Sequence, residues 1–239
     1  MLLFSLECSA AAASAAIYRD EKLLGEEFLN VPQTHSVTLL PMAKSLLEHT
    51  GISPAQIDYY AVSRGPGSFT GLRIGVATAK GLAWAAQRPC AGCSTLESMA
   101  WNLAGFSGQV CAAMDARRHQ IYNARFQVDG QCPRRLTPDR AISLDDLVQE
   151  LAGTQTPQLV VGDGAQLCYD ALTAAGIPAV LAPPNLRMQS AWGVARQALA
   201  LAQAGQTLSP AQLVPVYHRL SQAERERLER EQAAQTPHP

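Results

Sequence analysis

The sequence predicts an α/β protein built as two lobes from a duplicated βββαβα unit. Strand and helix patterns alternate along the 239 residues, and each half begins with strands that precede its first helix. A Gly-x-Gly turn follows the fourth predicted strand of each half, Gly65-Pro66-Gly67 in the first and Gly162-Asp163-Gly164 in the second. The halves share no strong residue identity, so the duplication is architectural.

The first half combines an antiparallel meander with apolar helices. Its first three strands are separated by hairpin-sized turns, which favours antiparallel pairing. The predicted elements are strands at 2–7, 14–19, 22–30, 58–63 and 89–93 and helices at 36–49, 72–86 and 95–103. We assign this half to an N-terminal lobe at 1–105.

The second half repeats this plan in a C-terminal lobe at 106–220. Its predicted elements are strands at 109–115, 120–128, 136–142, 159–161 and 179–181 and helices at 144–151, 166–175 and 191–204. A duplicated βββαβα unit is the plan of the superfamily of actin, the large heat-shock chaperones and sugar kinases. The predicted class is therefore a two-lobed actin-like ATPase (ASKHA, RNase H-like) fold with a cleft between its lobes. The charged residues at 221–239 predict a helical tail with a disordered end.

The composition favours a cytoplasmic protein with a covered surface. Charged residues make up 16% of the chain and the net charge is −1, whereas about 25% charged residues is usual. A partner interface or a simple richness in alanine explains this. Without a basic block, tight nucleic-acid binding by the chain alone is not expected. No apolar run could span a bilayer and the six cysteines form no disulfide framework, so we expect no membrane association and a reducing cytoplasm.

The glycine loop between the predicted strand 58–63 and the helix 72–86 is the most distinctive motif. Glycines between a strand and a helix can cradle an anion at the helix N-terminus. The candidate anion- or nucleotide-adjacent residues are Gly65, Gly67, Ser68, Thr70 and Gly71. The loop is neither a Walker A motif nor a dinucleotide fingerprint, because its glycine spacing fits neither. A sharp strand-to-helix turn is the stronger interpretation.

The other candidate sites are weak. Glu7 ends the first strand, where an actin-like enzyme places an acidic residue beside its metal-nucleotide, but no phosphate-holding glycine follows it. Cys90 and Cys93 form a lone C-x-x-C, for which buried thiols are a better interpretation than zinc or redox chemistry. Asp115 and Asp163 end two strands, where turn capping is favoured over a cleft role. The histidines form no metal pair.

The glycine loop belongs to a longer pattern that resembles the TsaB family. Residues 64–75 read RGPGSFTGLRIG, and AKGLA at 79–83 continues the match. Further landmarks occur in the family's order: His35-Ser36, Leu39-Leu40-Pro41, Met114-Asp115-Ala116-Arg117-Arg118, Gly162-Asp163-Gly164 and Pro215-Val216-Tyr217 with Arg219. The resemblance covers residues 1–228. One departure is Leu6-Glu7-Cys8, where the family usually has Ile-Asp-Thr.

The resemblance implies a role in tRNA modification without catalysis. TsaB is a degenerate relative of TsaD, which transfers threonylcarbamoyl to adenosine beside the anticodon of tRNAs reading ANN codons. TsaD binds its metal through paired histidines, and the equivalent stretch, Cys93 to Ser98, has no histidine. The resemblance thus implies no catalytic residue, no metal and no cofactor of the chain's own, and it leaves ATP or ADP within a complex open.

The resemblance also implies partners for the N-terminal lobe: a TsaD-like transferase, a TsaE-like ATPase that joins the complex, a second copy when the chain is alone, and tRNA only via the complex. The residue pattern independently favours an interface on the first two helices, because the apolar stripe of 36–49 is wide and Gly75, Ala79 and Ala83 form a smooth ridge. The predicted interface residues are Val37, Leu40, Met42, Leu47, Arg73, Ile74, Gly75 and Ala79. The alternative is that both helices only cover their own sheet.

Two other functions stay open in the sequence. A small phosphotransferase or ATPase of the actin-like fold would bind nucleotide with magnesium, for which the missing glycine after Glu7 is unfavourable. A metallopeptidase is suggested only by old glycoprotease-like names of the group, and the histidine spacing argues against it.

Overall fold

Within residues 1–219, which the computed structural model describes, the chain forms eleven strands and seven α-helices. The first half contains β1 (Leu2–Glu7), β2 (Ala13–Arg19), β3 (Lys22–Leu29), α1 (His35–Thr50), β4 (Tyr59–Gly65), α2 (Phe69–Ala86), β5 (Cys90–Ser94) and α3 (Thr95–Asn102). The second half contains β6 (Ser107–Asp115), β7 (Gln120–Asp129), β8 (Arg134–Arg135), β9 (Arg140–Ser143), α4 (Leu144–Leu151), β10 (Gln158–Val161), α5 (Ala165–Ala174), β11 (Ala179–Leu181), α6 (Pro184–Arg187) and α7 (Ala191–Gln203). The predicted tail at 221–239 lies outside the described residues.

Two β-sheets of the same plan confirm the predicted fold class. The first has the strand order β3-β2-β1-β4-β5 and the second the order β11-β10-β6-β7-β8. In each sheet the opening strands pair antiparallel, and the strands that follow a helix pair parallel with them. The strand predicted at 136–142 is wrong in detail. Two short strands, β8 and β9, pair with β7 instead, and Pro138 between them cannot donate a ladder hydrogen bond.

Strand β1 shows why the first sheet lies at the centre of its lobe. All six of its residues are buried. Phe4 and Leu6 pack in the core formed with α1 and α2, whereas Leu3 packs on the opposite face against α7. A strand that is covered on both faces must be apolar throughout, and its sequence is nearly so.

Helices α3 and α7 each pack against the sheet of the other half of the chain. Helix α3 comes from the first half, yet Leu96 and Met99 lie in the core of the second sheet. Helix α7 comes from the second half and places Val194 and Ala198 on the first sheet. The predicted boundaries at 105 and 220 stay predictions as divisions of the chain, but each half contributes one helix to the core of the other.

The segment 208–219 returns to the first lobe after α7 and forms a strap over it. The backbones of Leu208 and Cys90 exchange two hydrogen bonds, and Leu213 is buried in the first core. The Nζ of Lys80 donates to the carbonyl of Ala211 at 3.3 Å. The strap is therefore held against α2 and β5.

Candidate functional site

A cleft of about 560 Å³ lies where loops from the two sheets face each other. Its walls come from the turns that follow β1, β4, β6 and β10, which is where ligands commonly bind in open α/β sheets. Its polar residues include Ser9, Ser68, Asp115, Arg117, Asp163 and Arg219. We call this cavity the inter-lobe cleft.

The glycines of the glycine loop allow close backbone packing. A Cβ added to Gly67 would lie 2.5 Å from the carbonyl oxygen of Ser9. One added to Gly71 would collide with the carbonyl of Cys8, and one on Gly65, whose φ is +137°, with that of Val216. Three glycines therefore face three backbone carbonyls, which accounts for their spacing without a ligand.

The amides at the start of α2 are partly engaged within the chain. The N–H of Ser68 donates to the carbonyl of Ser9 at 2.7 Å, and the N–H of Gly71 is 3.4 Å from the capping Oγ of Ser68. Thr70 is exposed. These contacts favour the sharp-turn interpretation, and the role of the loop beside an anion or nucleotide stays a prediction that the packing does not require.

Glu7 is fully buried beneath the cleft. Its carboxylate accepts a hydrogen bond from the Ser9 N–H at 2.6 Å and a short one from the Ser63 hydroxyl. Burial raises the pKa of Glu7, although these hydrogen bonds oppose the shift. The side chain thereby links β1 to β4 and to the turn that follows β1. It is not exposed to the solvent in the cleft.

Of the two aspartates at the cleft walls, Asp115 makes a local turn contact and Asp163 a side-chain contact with a distant residue. Asp115 Oδ1 accepts from the N–H of Arg117 at 2.7 Å, and Asp163 Oδ1 accepts from Gln189 Nε2 at 2.6 Å. Desolvation raises the pKa of Asp163, and the neighbouring Asp115 adds to the shift. Within residues 1–219 no group of three or more His, Cys, Asp or Glu side chains could hold a metal ion.

The C-x-x-C cysteines are buried thiols. Burial raises the pKa of Cys90 to about 11 and raises that of Cys93 as well. The Sγ of Cys93 lies 3.7 Å from the carbonyl of Val194 in α7. A thiolate at either position is therefore disfavoured at neutral pH, which speaks against nucleophilic chemistry.

The predicted interface residues separate into two groups. Val37 and Leu40 are 66% and 56% exposed, Arg73 is exposed, and Leu47 and Ile74 are half-buried. Met42, Gly75 and Ala79 are buried against their own sheet in the single chain, so direct contact with a partner at these three positions stays a prediction. An added Cβ on Gly75 would lie 2.7 Å from the Sγ of Cys8. The smooth ridge of α2 packs on a sheet of its own lobe, because small side chains suit a sheet as well as a helix.

An apolar groove of about 490 Å³ separates α1 from α2 on the outer face of the lobe. Leu40, Leu47, Ile52 and Leu82 line it, together with residues of the turn at 51–54. The name α1–α2 face is used for this groove together with the outer side of the two helices. The exposed residues of that side include Val37, Leu40, Arg73, Ala77, Gly81 and Trp84.

Two further features of the α1–α2 face were not predicted. Trp84 is 63% exposed near the end of α2, and nothing lies within 4 Å of a Cβ added to Gly81. Arg73, Ala77, Gly81 and Trp84 follow one another at helical spacing and are all exposed. That spacing was the available signal, but apolar periodicity alone does not tell an outer from an inner face.

Arg73 also belongs to a contact with the strap. The rings of Phe69 and Tyr217 stack with centroids 4.5 Å apart, and Arg73 Nε donates to the Tyr217 hydroxyl at 2.9 Å. The guanidinium lies over both rings. At the end of the strap, Arg219 donates to the carbonyl of Ala116 at 2.6 Å, which joins the strap to the second lobe.

Comparison with known proteins gives one consistent family. The family model described as TsaD: tRNA N6-adenosine threonylcarbamoyltransferase matches residues 29–227. The tRNA threonylcarbamoyladenosine biosynthesis protein TsaB of Bacillus subtilis (strain 168) is 30% identical over 228 residues, 94% of this chain and 96% of that protein. The protein of the same name from Escherichia coli (strain K12) is 32% identical over 223 residues, 92% of this chain and 95% of that protein.

Solved structures agree with these relatives. YeaZ from Pseudomonas aeruginosa superimposes with a TM-score of 0.78 at 26% identity, covering 90% of this chain and 99% of that one. Component A of the Acidaminococcus fermentans (R)-2-hydroxyglutaryl-CoA dehydratase gives a TM-score of 0.52 at 11% identity, covering 85% and 99%, which is a likeness of fold alone. Across residues 1–219, no helix combines the length and the apolar character needed to cross a membrane.

Proposed function

The chain belongs to the TsaB family, and from this premise we propose that it is a non-catalytic partner of a TsaD-type threonylcarbamoyltransferase. Family membership assigns it to tRNA threonylcarbamoyladenosine biosynthesis. In the proposed role it binds and positions the transferase, which modifies the adenosine beside the anticodon of tRNAs that read ANN codons. In this role the chain itself catalyses no covalent step.

The exposed apolar character of the α1–α2 face is the observation that carries this proposal. Val37 and Leu40 are largely exposed, and Leu40 also lines the apolar groove. Burying such a side chain fully is worth about 1.5–3 kcal/mol, so leaving both in water forgoes stability. Two partner helices packed against α1 and α2 would recover it and give the four-helix packing of a bundle.

Gly81 and Trp84 are also exposed on the outer side of α2, where Trp84 lies beside residues 207–211 rather than in the groove. A glycine in a helix interior costs about 0.5–1 kcal/mol relative to alanine, and at Gly81 no neighbour within the described chain requires it. A second helix packed closely over Ala77 and Gly81 would require it. Trp84, one turn further, has the size and exposure of an interface anchor.

The buried state of Glu7 supports the non-catalytic part of the proposal. Its carboxylate is enclosed and hydrogen-bonded to Ser63 and Ser9, so it is poorly placed to hold a hydrated metal-nucleotide. The glycine loop is likewise occupied by backbone packing. The alternative of an actin-like ATPase or small-molecule phosphotransferase therefore has less support.

The remaining partners follow as parts of the same proposal. A TsaE-like ATPase joins the complex and brings any ATP or ADP, tRNA is contacted only via the complex, and in the absence of the transferase a second copy covers the α1–α2 face. We keep the cytoplasm as the predicted location of this assembly.

Co-purification with a TsaD-type protein tests the proposal directly. We expect a tagged chain to retain the transferase, and deletion of the chain's gene to abolish threonylcarbamoyladenosine in tRNA digests analysed by mass spectrometry. The isolated chain should show no magnesium-dependent ATP hydrolysis. Unchanged tRNA modification after deletion would contradict the proposed role, and ATP turnover that is lost in Glu7→Ala would favour the alternative.

A further inference from the structure

A separate cavity of about 350 Å³ lies where α3 and α7 meet the β2–β3 turn and the loop after β7. It shares no lining residue with the inter-lobe cleft or the α1–α2 face. Its wall includes Tyr18, Glu21, Trp101, Cys132 and Arg196. We call it the Arg196 pocket.

The guanidinium of Arg196 is held between two indole rings. Its Cζ lies 5.1 Å from the ring centroid of Trp101 and 5.4 Å from that of Trp192. Tyr18 packs edge-on against Trp192 with centroids 5.2 Å apart, which fixes that ring in turn. Cation–π contact with two rings restricts the side chain while leaving the in-plane N–H groups of the guanidinium unused.

Within residues 1–219, the Arg196 guanidinium makes neither a hydrogen bond nor an ion pair. Arg135, which is half-buried like Arg196, instead pairs with Glu97 and Asp139. In the same stretch of chain, the indole N–H of Trp101 is buried without a hydrogen-bond partner. The guanidinium nitrogens of Arg196, unlike this indole nitrogen, are accessible, so a molecule bound in the pocket can accept hydrogen bonds from them.

The charges around the pocket select the kind of acceptor. Arg196 is the one cation among the lining residues and Glu21 the one anion. A single negative charge balances Arg196, whereas a phosphate dianion would add repulsion from Glu21. The planar fork of arginine matches the two oxygens of a carboxylate, and the aromatic walls suit an apolar or flat body. The volume is within the lower range of small-ligand pockets.

We propose that the Arg196 pocket binds a small monocarboxylate, whose two oxygens accept from the guanidinium of Arg196 while its apolar body lies against the aromatic wall. This site is independent of the proposed role in tRNA modification. It requires only the chain itself, so it can be tested without any partner.

Indole fluorescence reports directly on this pocket. Two of the three tryptophans, Trp101 and Trp192, flank Arg196, and Trp84→Phe removes the remote third one. With the Trp84→Phe chain, benzoate should change the emission saturably, and neutral benzamide should bind at least tenfold more weakly. Inorganic phosphate should give no saturable change. Equal binding of benzoate and benzamide, or tighter binding of phosphate, would overturn the proposal.

Substitution of Arg196 separates charge from geometry. Arg196→Gln should weaken benzoate binding at least tenfold, and Arg196→Lys, which keeps the charge and loses the fork, should fall between the two. Arg134→Gln, at an exposed arginine outside the pocket, is the matched control and should bind like the parent. Parent-like benzoate binding by a folded Arg196→Gln chain would contradict the assignment.

The thiol of Cys132 gives a readout that does not depend on the folding of any variant. Cys132 is exposed at the pocket wall, and the other five cysteines are buried. Benzoate should slow the reaction of Cys132 with a maleimide in the unsubstituted chain, and benzamide at the same concentration should not. An unchanged rate at benzoate concentrations that saturate the fluorescence signal would place benzoate elsewhere and overturn the proposal.

Discussion

The helices that cover the first sheet differ from the equivalent helices of the second. In the duplicated plan α1 and α2 correspond to α4 and α5, and they are longer, with 16 and 18 residues against 8 and 10. Helix α4 buries Leu147 and Leu151, half-buries Leu144 and Val148, and exposes only acidic and amide side chains. The outer face of α1 and α2 instead shows Val37, Leu40 and Trp84. Helices α1 and α2 thus expose three large apolar side chains, whereas α4 and α5 expose one, Leu167.

The inner side of the first lobe, where the glycine loop lies, differs from its outer face. Its glycine loop is the stretch most suggestive of a ligand, yet its glycines are explained by contacts with Cys8, Ser9 and Val216. The apolar outer face has no such internal explanation. In the first lobe, therefore, the exposed apolar side chains and the open Gly81 lie on the outer face, where contacts within the described residues do not account for them.

Gly71→Ala should have the largest effect, because it tests the internal explanation of the glycine loop. The new methyl would collide with the carbonyl of Cys8, a backbone atom that cannot turn away. We expect a loss of about 2–3 kcal/mol in the free energy of unfolding, measured by urea denaturation. Gly105→Ala, where nothing lies within 4 Å of the added Cβ, should be close to neutral. A fully stable Gly71→Ala chain would refute the packing account.

Trp84→Ala should have the second-largest effect, a loss of affinity for the partner. Truncating an interface anchor costs about 2 kcal/mol, which is roughly a thirtyfold increase in the Kd for the TsaD-type partner. Calorimetric titration measures it. Phe106→Ala removes another exposed aromatic ring, 39% exposed, outside the α1–α2 face and should bind like the parent. Equal losses in both variants would remove Trp84 from the interface.

Gly81→Ala should move stability and binding in opposite directions. The isolated chain should gain about 0.5–1 kcal/mol, because alanine is the better helix former and the methyl meets no neighbour. Binding of the partner should weaken, because the methyl would hold a second helix away. Thermal unfolding and titration of the same sample measure both. A gain in stability with unchanged affinity would show that no helix packs over this position.

Glu7→Gln should give the smallest effect, a change in the pH dependence of stability. Burial raises the pKa of Glu7 above its ordinary value of 4.5, so the folded chain holds this proton more tightly than the unfolded chain. The resulting stabilisation is complete below about pH 4.5 and is lost as the pH rises through the raised pKa. The free energy of unfolding of Glu7→Gln, followed by urea denaturation from pH 4.5 upward, should therefore fall less than that of the parent.

Glu48→Gln is the matched control for this profile, because Glu48 is an exposed glutamate on α1. It should follow the parent at every pH. A parent-like slope in Glu7→Gln would mean that Glu7 does not lose a proton in the folded chain over this range.

The sequence predicts the parts of this molecule that depend on local pattern. Strand and helix order, the Gly-x-Gly turns and the exposed Leu40 all follow from periodicity and turn residues. The side on which α2 buries Gly75 and Ala79 does not follow, since small residues pack equally well on a sheet and on a helix. The exchange of α3 and α7 between the sheets depends on tertiary packing, for which neither helix carries a local signal.

The Arg196 pocket could not be predicted from local sequence patterns either. Tyr18, Trp101 and Arg196 are separated by dozens of residues, and only the crossing of α3 and α7 brings them together. The path of the strap was not predicted for a similar reason, because the strap contacts Cys90 and Lys80 through its own backbone, which leaves no mark on its side-chain periodicity.

A pair of charge substitutions tests the proposed binding of the transferase at the α1–α2 face. Leu40→Glu places a carboxylate on that face, and Leu167→Glu does the same on α5 of the second lobe, where the leucine is 48% exposed. In a pull-down with the TsaD-type protein, with folding checked by circular dichroism, Leu40→Glu should lose the complex and Leu167→Glu should keep it. A folded Leu40→Glu chain that retains the transferase as well as Leu167→Glu does would contradict the account.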